Sequence, residues 1–340
     1  MKGPRTNFPR FNHYVPRFIL ENFAHKGQLS IFDKHTQKRF KLPPYRAMGE
    51  KDFTNVNITN RLVSFEDKFT SIEDKAAPVV SKLLREQSLS PLSATEAEML
   101  HRLVIVQLLR SKRRRIDQMT VTANIRRRWP DIHTNPVKEK IDDEELEKLF
   151  SLDFTFSKLD DFTSTLLSKH CYLMIRDCAG DLYISDDPIV FHNSKQYGPY
   201  GNIGLLVPHI EIYFPLSPEI ALAYMCRSSV EEIRREQTEA ESKIGATFGR
   251  LFLSSTGITA SDKLILERAR AELERAKSYQ SMILNERVAP MNSENLLFLN
   301  SLQIRSSVRY IACQNDNFAF AIKALAEKPH WKEGVGVSIA

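Results

Sequence analysis

The chain has 340 residues, 42% of them hydrophobic and 26% charged, which excludes a disordered or fibrous protein and suffices for one large domain or two ordinary ones. Its longest apolar run, residues 103–109, is interrupted by Gln107 and falls far short of the roughly 20 residues that cross a bilayer, so no membrane partner is expected. A net charge of +6 favours an anionic partner, DNA or RNA, although a solvated lysine-rich surface gives the same figure.

Cys171, Cys178, Cys226 and Cys313 form no CxxC pair. That excludes a zinc ribbon and points to reduced core thiols in a cytoplasmic protein. The opening MKGPRTNFPRFNHY lacks an apolar h-region, so no signal peptide is expected.

At residues 12–20, NHYVPRFIL, Pro16 suits a first helical turn and pushes Val15 to an extended conformation. Phe18, Ile19, Leu20 and Phe23 read as one or two apolar turns. His13 then sits just ahead of a helix N-terminus, where it can bind phosphate, hold a metal or move a proton, or simply anchor the chain. Residues 28–33 and 39–42 read as a hairpin.

Residues 64–86 carry Phe65, Phe69, Ile72, Ala76, Val79 and Leu83 at helical spacing, with Pro78 expected to kink or break the helix. Glu66 and Glu73 share a face of it, bordering the apolar stripe, and either can ligate a metal or lie solvated beside a lysine. Ser93-Ala94-Thr95-Glu96 is a capping box opening a helix toward residue 119. Gln107, among apolar neighbours, is expected to be buried and in need of partners, with Arg110 one turn on. Arg113, Arg114 and Arg115, then Arg126, Arg127 and Arg128 beside Trp129, form two basic clusters. They suit a nucleic-acid surface or the dipole at a helix C-terminus equally well.

Residues 129–137 read as a loop, and 142–150 and 156–169 as helices. Near residue 170 the pattern turns to strands: 171–176, 182–185, 210–214 and 220–225. Ser185-Asp186-Asp187-Pro188 closes the second of these, either presenting side chains or forming an ordinary Asx turn. Helices are expected over 230–243, 261–282 and 292–311, the last containing Asn300 and Arg309. The reading is α+β: a mostly helical body with a small antiparallel β region formed by the N-terminal hairpin and the strands around 170–225. It spans 1–340 as one domain, with sub-parts at 1–169 and 170–340.

HYVPRFILENFA, IFDKHTQKRFK, EKDFTNV, FEDKFTSIEDKAAPVV, LSATEAEMLHRLVIVQLLRSKR, YISDDPIV, FPLSPEIALAY and LNSLQIRSSVRYIAC occur in this order. In this the chain resembles the bacterial family known as domain of unknown function 4238, over nearly its full length. The family's turn usually reads SDNP, so Asp187 stands where an amide is expected. Whether Asp186 or Asp187 is the working acid is open. The resemblance implies an α+β protein with His13, Gln107, Arg110, Ser185, Asp186, Pro188 and Asn300 at emphasised positions. It supplies no activity.

Two classes of function follow. The first is a metal-dependent nuclease or phosphodiesterase in a bacterial defence or toxin setting. His13, Glu73 and Asp186 would hold Mg²⁺ or Mn²⁺, with His13 and Asp186 as acid/base groups. Gln107, Arg110 and Asn300 would position the substrate, and the arginine clusters would bind nucleic acid. This requires His13, Glu73 and Asp186 to converge in space. No PD-(D/E)xK, HNH, GxxxxGK[ST] or HExxH pattern accompanies them, and no nucleotide-cofactor loop is evident. The second is a non-catalytic module binding nucleic acid or a protein, with a structural polar network around His13. A second copy of the chain as partner is left open, as is a small-molecule enzyme.

Overall fold

The structure is a computed structural model that describes residues 8–58, 61–128, 143–196, 203–253 and 259–334. Its first part comprises β1 (Phe11–His13), α1 (Arg17–Asn22), β2 (Leu29–Asp33), β3 (Lys38–Leu42), β4 (Gly49–Lys51), β5 (Asn55–Ile58) and β6 (Arg61–Ser64). Five helices follow: α2 (Glu66–Glu86), α3 (Ala94–Arg110), α4 (Lys112–Arg128), α5 (Asp143–Ser157) and α6 (Leu159–Leu167). Then come β7 (His170–Arg176), β8 (Ile184–Ser185), β9 (Val190–His192), β10 (Glu211–Pro215), β11 (Ile220–Met225), α7 (Arg227–Leu253) and α8 (Ala260–Tyr279). The last elements are β12 (Val288–Met291), α9 (Ser293–Ser306), β13 (Tyr310–Cys313) and α10 (Ala319–Glu327).

The fold is α+β, as the pattern of apolar periods implies. Strands order β12-β7-β11-β10-β9 in one sheet and β3-β2-β13-β8 in another, with β1–β4 and β5–β6 as separate pairs. Within the larger sheet β12 lies parallel to β7. In the second sheet the expected N-terminal hairpin is extended by β13, from the far end of the chain, and β8, from its middle. The largest apolar core joins Ile19 and Leu20 of α1, Phe69 of α2, Val106 of α3, and Leu173 and Tyr224 of the first sheet.

Several expectations are corrected. Helix α2 runs unbroken through Pro78, because Ala76, Val79, Val80 and Leu83 around it are packed in the core and burial outweighs the lost backbone bond. The capping box at Ser93 and Glu96 forms. The helix it opens stops at Arg110, however, where Ser111 adopts φ −60°, ψ 151°. Ser111 then caps α4, its hydroxyl accepting from the Arg114 N–H at 3.3 Å.

Residues 171–176 and 182–185 do not pair, since β7 and β8 belong to different sheets. The helix expected over 292–311 ends at Ser306, and Arg309 lies outside it. The loop expected over 129–137 lies outside the described residues.

Lys34 holds the end of α9. The residue is fully buried, and its ammonium donates to the carbonyls of Ser307, of Trp331 at 2.9 Å and of Ile304 at 3.4 Å. Burial lowers its pKa to about 8, opposed by the charges of Asp186 and Asp187. Next to it, Asp33 accepts from Arg309 Nε at 3.0 Å and Nη2 at 2.7 Å, and from the N–H groups of His35 and Thr36. Burial disfavours the Asp33 charge, yet these donors outweigh it and bring its pKa down to about 2.

A carboxyl depressed on folding stabilises above its unfolded pKa of about 3.9 and ceases to do so as pH falls through the folded value. In thermal unfolding across pH, the stability advantage of the wild type over Arg309→Leu is therefore expected to shrink from about pH 4 down to about 2. An advantage independent of pH would rule out Asp33 as its source.

Candidate functional site

Three groupings account for the residues singled out by sequence. The first lies under the N-terminal segment. Tyr14 and Val15 are buried, and the Tyr14 N–H donates to Met48 O at 3.1 Å. From α3, Gln107 reaches this segment, its Nε2 donating to Tyr14 O at 3.0 Å. Arg110, one turn on, is ion-paired with Glu73 of α2 at 2.5 Å and lies 4.7 Å from the Phe69 ring centre.

Helix α1 spans only six residues and Pro16 gives it no side-chain cap, so it offers no anion site to His13. Instead the His13 Nε2–H donates to Pro44 O at 3.3 Å. Burial lowers the His13 pKa; the Pro44 bond and Glu73 oppose this, and Arg110 adds to it. The imidazole is thus neutral near pH 7. Glu66 accepts from Thr54 Oγ1 at 2.6 Å, and burial raises its pKa. Gln107 Oε1 and Arg110 Nε have no hydrogen-bond partner. His13, Glu66, Glu73, Gln107 and Arg110 therefore lie close together, and none of them lines the cavities described below.

In the second grouping α9 is interlocked with residues 181–188. Asn300 Nδ2 donates to Asp181 O at 3.0 Å, and its Oδ1 accepts from the Tyr183 N–H at 2.7 Å. Gln303 Oε1 accepts from the Ser185 N–H and hydroxyl at 3.0 and 2.7 Å, while its Nε2 donates to Pro188 O at 2.9 Å. Asp186 accepts from three consecutive N–H groups, those of Val308, Arg309 and Tyr310, at 2.7, 2.8 and 2.9 Å. Burial pushes its pKa up, and these donors with the Lys34 charge push back. Both oxygens are held by backbone N–H groups and the side chain is buried, so Asp186 acts here as a structural joint. Asn300 is likewise spent on backbone. Among the described residues no three His, Cys, Asp or Glu side chains gather as a metal site, so His13, Glu73 and Asp186 do not form the expected triad.

The third grouping is a cavity of about 250 Å³ that contains the other half of the Asp pair. Asp187 is buried, and its Oδ2 accepts from the Ser306 hydroxyl at 2.5 Å. Its Oδ1 has no hydrogen-bond partner. Burial raises the Asp187 pKa, against the pull of Arg114, Ser306, Ser111 and Arg113. Arg113, Arg114, Asp117 and Arg305 face the same cavity. Arg113 is buried and donates to Glu333 O at 3.2 Å, leaving its Nε unpartnered. Arg114 sits 5.7 Å from the Phe191 ring centre and 3.8 Å from Asp117. The carboxylates that line this cavity are Asp187 and Asp117, the latter paired with Arg114.

The basic clusters are thus not one exposed surface. Lys112 is ion-paired with Glu50. Arg115 lies 3.5 Å from the Phe53 ring centre and donates to Phe53 O at 2.6 Å, and its burial lowers its pKa to about 10. The turn at Ser111 rotates this part of α4 toward the body, drawing Arg113 and Arg115 inward. Arg127 and Arg128 are exposed, Arg127 bonding Asn124 at 2.9 Å. The Arg126 side chain lies outside the described residues.

Arg305, Ser306 and Asp117 were missed by sequence reading. Their signal was faint: Arg305 and Ser306 lie in the same helix as Asn300, and Asp117 one turn after Arg113. A larger cavity, about 550 Å³, lies elsewhere, lined by Glu211, Glu232 and Glu272. Lys195, Lys243 and the Tyr213 hydroxyl already engage these acids, and none of the sequence-derived residues reaches it.

The fold and this third grouping define an α+β protein with a buried acid set among arginines. The chain belongs to the family described as Protein of unknown function (DUF4238), whose sequence model matches residues 12–317. No curated protein and no solved structure matches it.

The division between the first two groupings and the third has energetic consequences. Arg110→Leu is expected to lower the unfolding free energy by roughly 2–4 kcal/mol, because Glu73 is left unpaired, and adding Glu73→Leu should recover much of that loss. Asp186→Ala should cost about 3 kcal/mol or more through three orphaned N–H groups, and Asp187→Asn much less. Denaturant titration of the four variants checks this ranking.

Proposed function

We propose that the chain is a hydrolase of the nuclease or phosphodiesterase type, acting on nucleic acid, with Asp187 as its acid/base group. One observation supports this most: the α4 arginines and the SDDP turn, separate in sequence, line one cavity in which a buried carboxylate keeps a free oxygen. Guanidinium forks match phosphate oxygens and offset their charge. Arg113, Arg114 and Arg305 therefore bind the phosphodiester, and Ser306 orients Asp187.

In the reaction, ionised Asp187 takes a proton from water as that oxygen bonds to phosphorus. The bond from phosphorus to the leaving sugar oxygen breaks, and that oxygen takes a proton from solvent. Asp187, with Asp117 beside it, would hold a Mg²⁺ or Mn²⁺ ion, which would supply positive charge against the phosphate. In this reading His13, Glu73, Gln107 and Arg110 anchor the N-terminal segment. A defence or toxin role fits a nuclease of this kind and rests on the same activity.

A second reading, binding without cleavage, is favoured by the closed state of the His13 grouping, which reaches none of the identified cavities. Labelled RNA, single-stranded DNA and duplex DNA, incubated with Mg²⁺, Mn²⁺ or EDTA, separate the two. Cleavage by the wild type should fall at least ~100-fold in Asp187→Asn. Its rate should rise with pH through a pKa above the ordinary carboxylate value of about 3.9, and Arg114→Gln should move that limb to higher pH. Nucleic acid retained but intact, with Asp187→Asn binding as the wild type does, would leave only the binding module.

A further inference from the structure

The arginine cavity has a neighbour. A second cavity, of about 380 Å³, shares Arg114, Asp117, Phe191 and Ile203 with it. Beyond that common wall the lining is of another kind, with Phe154, Phe162, Leu108 and Leu205. Gln118 is part of this wall and also borders a third cavity, and its buried Oε1 has no hydrogen-bond partner. Each chamber thus has its own unmet polar demand. In the first an arginine Nε–H lacks a partner; in the second one amide oxygen does. Buried polar atoms of this sort cost stability unless something satisfies them.

We infer that the paired cavities take a single nucleotide of a nucleic-acid strand with its base turned out of the stack. This rests on the phosphate-binding reading of the Asp187 cavity and adds the base to it. The phosphate lies among Arg113, Arg114 and Arg305. The base lies in the second chamber against Phe154, Phe162 and Phe191, and Gln118 Oε1 accepts one of its edge N–H groups. Every base has a π-face and at least one such N–H, so the chamber recognises a base without reading sequence. Arg114, on the Phe191 ring at the junction, contacts both parts. A stacked and paired base presents neither face nor edge to such a chamber. The strand it fits is therefore single or opened, such as a strand end or an unpaired loop.

Calorimetric titration in EDTA tests this without any need for turnover. AMP is expected to bind at least tenfold more tightly than ribose 5-phosphate, adenosine or hexyl phosphate. Gln118→Leu should remove most of the AMP advantage and leave ribose 5-phosphate binding unchanged, its melting temperature showing that the fold is kept. A 5′-phosphorylated single strand should displace AMP, and a blunt duplex of the same sequence should not.

Equal binding of AMP and ribose 5-phosphate would overturn the base chamber. Hexyl phosphate matching AMP would make it a pocket for alkyl chains, and an effective duplex competitor would overturn the single-strand assignment. Binding of adenosine as tight as that of AMP would remove the phosphate site, and no binding of any probe would remove both. The expected AMP binding with no cleavage of any nucleic acid would refute the hydrolase alone and leave this inference standing.

Discussion

The Asp186 carboxylate and the three N–H groups it accepts from decide where the chain turns. Residues 292–311 have the composition of a single helix, and nothing local to residue 306 stops it. The helix ends because a buried carboxylate from a strand 122 positions earlier takes the N–H of Val308 and then those of the next two residues. Freed from the helix, residues 310–313 become β13, which lies between β2 and β8. The sheet that ties the N-terminal hairpin to the rest thus depends on one side chain. Lys34 completes the arrangement by giving the abandoned carbonyls a donor from the hairpin's own turn.

Adjacent acids in one motif have opposite tasks. Asp186 gives both oxygens to backbone and is a joint. Asp187, one residue on, points to the other side, shares one oxygen with Ser306 and keeps the other free. The doubled acid sits in the bend that follows β8 and places one carboxyl on the framework and one in the cavity. An amide at 187 would still accept from the Ser306 hydroxyl but would lose the charge.

Much of the fold was legible because burial imprints a period. The helices at α2 and α3, the capping box, the hairpin and the strands β7, β10 and β11 follow from apolar spacing and turn chemistry. The end of α9, the separation of β7 from β8 and the survival of α2 through Pro78 were not legible, since long-range contacts set them. The site divides in the same way. Gln107 is buried against the chain, and the closeness of Gln107, Arg110 and Glu73 to His13 follows from two amphipathic helices facing one segment. That Asp186 and Asn300 are occupied by backbone depends on contacts between distant stretches of the chain, and that Arg113 and Asp187 face one cavity depends on a break at Ser111 that no local propensity demands.

The pairing of β2 with β13 also governs how the protein is made. Asp33 and Arg309 are 276 positions apart, so the hairpin emerges from the ribosome long before its sheet partner exists. At roughly 5–20 residues per second it waits for tens of seconds, with one edge of β2 unpaired and open to wrong neighbours. The same interval applies to the arginine cavity, whose walls come from the stretches around residues 113, 187 and 305. A nascent or truncated chain lacks the last wall. Any chemistry the cavity performs is thereby withheld until the stretch around residue 305 has been made, a safeguard supplied by the order of these elements along the chain.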